Sequence, residues 1–88
     1  MNKILYNANK NIEYLFKKNN YNSYTNFAKD LKIDRTYPEK IINGKQLPSI
    51  NVLIQIRNFF HINLDDLIFK NLEEEEIKNE NWMQNFNL

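Results

Sequence analysis

Apolar residues recur along this chain at helical rather than strand spacing, in short bursts separated by polar joints. Over residues ~8–18, "ANKNIEYLFKK", the side chains of Ile12, Leu15 and Phe16 fall on one stripe. The polar break "NNYN" follows, and Ser23 stands as an N-cap before "YTNFAKDL", in which Phe27, Ala28 and Leu31 share a face. A joint, Lys32-Ile33-Asp34, leads into a third helix expected from Arg35 to about Asn43, capped by Asp34, with Pro38, Ile41 and Ile42 as its apolar positions. Gly44 is placed to end it in a left-handed conformation. Pro48-Ser49 opens a fourth helix to about Phe60, expected to turn Ile50, Leu53, Ile56 and Phe60 inward, and Asn63 caps a short fifth, "LDDLIF". Strand-like alternation and internal repeats are absent from the sequence. The pattern predicts an all-α domain of five helices over residues 1–70, followed by a helix-compatible tail, 71–88.

Punctuation is concentrated in "DRTYPEKIINGKQLPS", residues 34–49, which holds both prolines and the one glycine. With Asp34 as the cap, Pro38 deprives only the cap's carbonyl of a backbone partner. Its ring then meets less of the clash suffered in a helix interior, so a slightly distorted first turn is expected.

Composition narrows the chemistry. Eighty-eight residues with 42% hydrophobic content suit one small domain. The absence of cysteine excludes disulfides and thiolate metal sites, and one histidine is too few for an ordinary zinc site. No apolar run resembles a signal peptide or a membrane span, so a cytoplasmic protein without membrane contact is expected. The net charge of +1 conceals an asymmetry. Residues 1–45 carry nine Lys or Arg against four Asp or Glu, whereas residues 71–88 carry one lysine against five glutamates. A basic front half suits an anionic partner. On charge alone, ordinary solvated faces in a lysine-rich composition account for it equally well.

Short helices with a tight joint between the second and third make a helix-turn-helix arrangement. In "SYTNFAKDLKID", "RTYPEKIINGK", "LPSINVLIQI" and "FFHINLDDLIF", in that order and spacing, the chain resembles the lambda-repressor and Cro type of DNA-binding domain, the XRE family of bacterial and phage regulators. The match covers about residues 9–70. Tyr24 stands where such domains usually have glutamine, Lys32 replaces the turn glycine, and Pro38 replaces a β-branched residue of the recognition helix. The usual arginine ending helix one is replaced by Phe16 or Lys17, and His61 takes a glycine position after helix four. Lys32 and His61 are therefore expected at left-handed backbone angles.

The resemblance implies a transcriptional regulator, a small phage or mobile-element repressor, binding double-stranded DNA as a homodimer through helix 35–43. With Pro38 and Ile41 inward, Thr36, Lys40 and Asn43 point outward, flanked by Tyr37 and Glu39. Arg35, at the end that enters the groove deepest, suits bidentate contact with guanine. Thr36 suits a base edge or a thymine methyl, Lys40 guanine or phosphate, and Glu39 a cytosine amino group. Backbone contacts are expected from Ser23, Tyr24, Tyr37, Asn43, Lys45 and Lys17. Tyr24 has the alternative of covering the helix junction, and the basic residues that of plain surface.

Beyond residue 70, Trp82, Met83 and Phe86 are candidates for a dimer contact or for packing back on the core. A second reading keeps the fold but makes it an antitoxin-like or inhibitor module that grips a protein partner through this tail. No catalytic residues, cofactor or metal site are expected: Asp65 and Asp66 sit in a first helical turn, where the helix dipole favours acid, and no nucleophile-base pair or phosphate loop is evident.

Overall fold

A helix ends where one residue can turn left-handed, and four such residues divide this chain: Asn20 (φ 61°), Lys32 (φ 59°), Gly44 (φ 72°) and His61 (φ 56°). The computed structural model describes residues 3–77. Within them lie α1 (Lys3–Lys18), α2 (Tyr24–Leu31), α3 (Tyr37–Ile42), α4 (Ile50–Phe60) and α5 (Leu64–Phe69). A further helical segment, α6, covers 72–77. All regular structure among the described residues is helical.

The first three helices close by one hydrogen-bond pattern. Tyr21 N–H donates to Phe16 O and Asn20 N–H to Lys17 O, while Ile33 N–H donates to Ala28 O and Lys32 N–H to Lys29 O. After α3, Lys45 N–H donates to Lys40 O at 2.8 Å and Gly44 N–H to Ile41 O at 3.1 Å. The starts are equally local. Ser23 Oγ accepts from Asn26 N, Ser49 Oγ from Val52 N and Asn63 Oδ1 from Asp65 N. A lysine held left-handed is strained by ~1–2 kcal/mol, and glycine gives back part of the relief through its looser unfolded chain. Lys32→Gly is therefore expected to stabilise the domain by roughly 0.5–1 kcal/mol. A thermal melt checks it; an unchanged or lower midpoint contradicts the strain at Lys32.

The core gathers Ala8, Ile12 and Leu15 of α1, Phe27 and Leu31 of α2, Ile41 of α3, Val52, Leu53 and Ile56 of α4, and Leu67 of α5. α1 packs against α3 and α5, α2 against α3 and α4, and α4 against α5. The outer aromatic residues extend this core around the first joint. Phe27 meets Phe16 edge-on at 5.2 Å and Tyr21 at 4.9 Å between ring centroids. The Tyr21 hydroxyl donates to the Asp30 carboxylate, tying the joint to α2. Burial first, and then that bond, push the Tyr21 phenol up to about 12.

Three expectations change. α1 begins at Lys3, a full turn and more before the periodicity becomes visible. Ile50 does not face inward and is 59% exposed, while Val52 takes the inward place. At 100° per residue Ile50 stands about 110° around α4 from the centre of the Val52–Leu53–Ile56 face. Finally, α3 is shorter than 35–43, with Thr36 rather than Asp34 as its N-cap. Asp34 Oδ1 instead accepts from both Thr36 N and Thr36 Oγ1, at 2.8 and 2.6 Å. Its carbonyl accepts from Tyr37 N at 3.1 Å, so residues 35–36 form a turn ahead of the helix. That bond supplies the Asp34 carbonyl with the partner Pro38 cannot offer. The proline stands in the first turn of α3, where helices tolerate it.

Candidate nucleic-acid interface

The α2–α3 pair is held from below by residues whose spacing hides their purpose. Pro38 and Ile41 bury one side of α3. Asn9 of α1 is 3% exposed and donates both amide hydrogens upward, to Ile41 O and to Gln46 O, each at 3.0 Å. One amide thus fastens the C-terminal end of α3 and the strand of backbone leaving it. Asn11, also buried, donates to Leu67 O and Lys70 O at 2.7 Å and accepts from Leu72 N at 3.1 Å. Asn7 donates to Ile68 O and Lys70 O at 2.9 Å. Helix ends leave carbonyls without intrahelical partners, and α1 supplies side-chain donors to two such ends at once. Sequence reasoning missed all three asparagines. The signal was Asn11, which lies beside the Ala8–Ile12–Leu15 stripe instead of opposite it.

With its inner side fixed, α3 presents the rest to solvent. Arg35, Thr36, Glu39, Lys40 and Asn43 are exposed, as the sequence predicts, and Lys45 continues the same stretch. None of Arg35, Lys40 and Lys45 takes part in an ion pair among the described residues. Thr36 differs from its expected part in one respect. Its hydroxyl hydrogen is engaged by Asp34, so toward solvent it offers an acceptor oxygen and a methyl group. The Thr36 hydroxyl and then the Thr36 amide, both donating, hold the Asp34 carboxyl below its ordinary value.

The flanking candidates separate into two kinds. Ser23 is committed to capping α2. Tyr24 leans on Phe16, ring centroids 5.1 Å apart, and so covers the α1–α2 junction while remaining half-buried. Tyr37 is likewise half-buried and packs against the core rather than standing free beside Lys40. Lys17 is exposed and donates to Glu13 at 2.9 Å, a bond that raises its ammonium above the ordinary lysine value. Such exposed i,i+4 pairs are worth little and exchange readily for another anion. Lys17 and Asn43 line one groove between α1 and the end of α3. Trp82, Met83 and Phe86 lie outside the described residues.

Among the described residues no group of three or more His, Cys, Asp or Glu is placed to hold a metal ion. Nor is any described helix long and apolar enough to cross a membrane. Set against models of protein families, curated proteins and solved structures, the chain matches none.

Proposed function

We propose that this chain is a sequence-specific transcriptional regulator of the lambda-repressor and Cro plan, non-catalytic and cytoplasmic, that binds double-stranded DNA as a homodimer. α3 and the turn before it enter the major groove, Arg35 and Lys40 read base edges, and Lys45 and Asn43 meet the backbone. The observation that supports this best is the two-sidedness of α3. Pro38 and Ile41 are buried while Arg35, Thr36, Glu39, Lys40 and Asn43 are all exposed, and the cations among them are not consumed by ion pairs within the described residues. A short helix with a committed inner side and an uncommitted polar outer side suits a foreign surface rich in acceptors.

Selection of bound oligonucleotides from a random pool tests the proposal. An inverted repeat with half-sites one helical turn apart, ~34 Å, is expected from a dimer of this plan. Against the selected site, Arg35→Ala is expected to weaken binding by ~1–3 kcal/mol and to relax preference at one base pair. Lys45→Ala is expected to weaken all sequences alike and to flatten the salt dependence. Failure to enrich any sequence, with the chain folded, sinks the proposal.

The same assay separates the interaction-module reading, provided the truncation is placed correctly. α6 is bonded to Asn11 through Leu72 and to Lys18 through Glu76, so a cut at residue 71 removes part of the folded body. A cut after residue 77 keeps both of those bonds. Retained DNA binding with loss of a protein partner favours the module.

A further inference from the structure

Reading a base edge depends on which partner brings the hydrogen, and at Thr36 that is already decided. The residue has helical backbone angles (φ −85°, ψ −17°), so it keeps the register of α3. Two positions before the buried Pro38, it stands about 200° around the helix from that ring, on the exposed side. Thr36 N and Thr36 Oγ1 both donate to Asp34 Oδ1, at 2.8 and 2.6 Å. The hydroxyl first, and then the amide, hold the Asp34 carboxyl below its ordinary value, so at neutral pH it is ionised and has no proton to give. A hydroxyl has one hydrogen, and this one is spent. Toward solvent its oxygen keeps accepting capacity alone.

To donate to a base, Thr36 would have to turn that hydrogen away from Asp34. The exchange replaces a bond to a carboxylate by one to a neutral acceptor, and charge-assisted bonds are roughly twice as strong as neutral ones. The hydroxyl therefore stays with Asp34. Arg35, next in the chain and also exposed, brings donors only. Two consecutive side chains thus call for opposite chemistries.

At the major-groove edge guanine and thymine present O6 and O4, which accept, whereas adenine and cytosine present the N6 and N4 amino groups, which donate. A side chain that can only accept meets an amino group favourably and a keto oxygen unfavourably. We propose that Thr36 reads the exocyclic amino group of adenine or cytosine, and that Asp34 is the positioning residue that fixes it in this role. This rests on α3 lying in the major groove. Its signature is a two-letter code. At one position of each half-site adenine and cytosine are both accepted on the contacted strand, and guanine and thymine are both rejected. A threonine reading through its methyl group would instead select thymine.

Selection from a random pool with the full chain, followed by titration of synthetic duplexes carrying each base at every position of the enriched site, tests the assignment. One position is expected to favour adenine and cytosine over guanine and thymine by roughly five- to tenfold, their own ranking telling which amino group is met. Thr36→Val keeps the methyl group and loses the oxygen, and is expected to abolish that preference. Thr36→Ser keeps the oxygen and is expected to retain it. Asp34→Ala frees the hydroxyl to donate while leaving the Asp34 carbonyl on Tyr37 N, so guanine and thymine become tolerated at that position alone. A preference that survives Thr36→Val, or is lost in Thr36→Ser, overturns the assignment. So does one abolished by Glu39→Gln instead, since Glu39 is the other exposed acceptor on this side of α3. An unchanged profile in Asp34→Ala removes Asp34 from the role. Failure to enrich any sequence sinks the DNA reading and this assignment with it, whereas an operator indifferent to both Thr36 variants sinks this assignment alone.

Discussion

Phe27→Ala is expected to cost the domain about 3–5 kcal/mol, the usual loss when a fully buried phenylalanine is truncated to alanine. Phe27 is 1% exposed and lies where three helices converge. It meets Phe16 and Tyr21 edge-on and lies 6.3 Å from Phe60, ring centroid to centroid. Those neighbours belong to α1, its joint and α4, so the space left by the ring cannot be closed by a shift of one side chain. An ordinary domain has only ~5–15 kcal/mol of stability in total. Denaturant unfolding followed by circular dichroism should therefore find a much lower midpoint, with little stability left if the domain starts at the low end of that range. A loss under about 1 kcal/mol would mean that Phe27 is not at the centre of the core.

The second large effect is expected at a polar residue. Asn11→Leu keeps the branched side-chain shape, with added bulk, and removes the hydrogen bonds. It leaves Leu67 O and Lys70 O without their shared donor and Leu72 N without its acceptor. A buried backbone group deprived of its partner costs ~1–3 kcal/mol, and Lys70 is exposed enough for water to replace part of its loss. The net is about 3 kcal/mol of destabilisation, against the gain an added apolar group would otherwise bring. Leucine's extra bulk also carries a cost at so buried a position, so the place of the effect is what discriminates. Hydrogen exchange gives the local reading, since the Leu72 amide should lose protection while those at the centre of α2 keep their rank.

The asparagines mark the limit of what spacing reveals. A cap is legible because donor and acceptor are two or three residues apart: Ser23, Ser49 and Asn63 each bond an amide within that range. The left-handed turns at Lys32, Gly44 and His61 were legible for the same reason, since each only has to follow a helix. The exposed set on α3 was also foreseen, because two buried positions three residues apart orient a helix of six residues. The start of α3 was misplaced by a local competition. The Asp34 side chain reaches Thr36 and its carbonyl reaches Tyr37, so the chain makes a turn before it makes a helix. Spacing cannot rank those two uses of one aspartate.

Tertiary structure alone decided the remainder. Asn7, Asn9 and Asn11 bond carbonyls 32 to 63 residues away, a separation at which no periodicity speaks. Ile50 is apolar yet exposed because the centre of the buried face of α4 is set by what α2 and α5 present to it. The groove beside Asn43 likewise exists only where α1 meets the end of α3. Helices, caps and turns follow from neighbours along the chain, so the amino-acid order determined them. Which side chain is buried, and what it is bonded to, depends on partners brought together by folding, and there the physical choice belongs to the packed molecule.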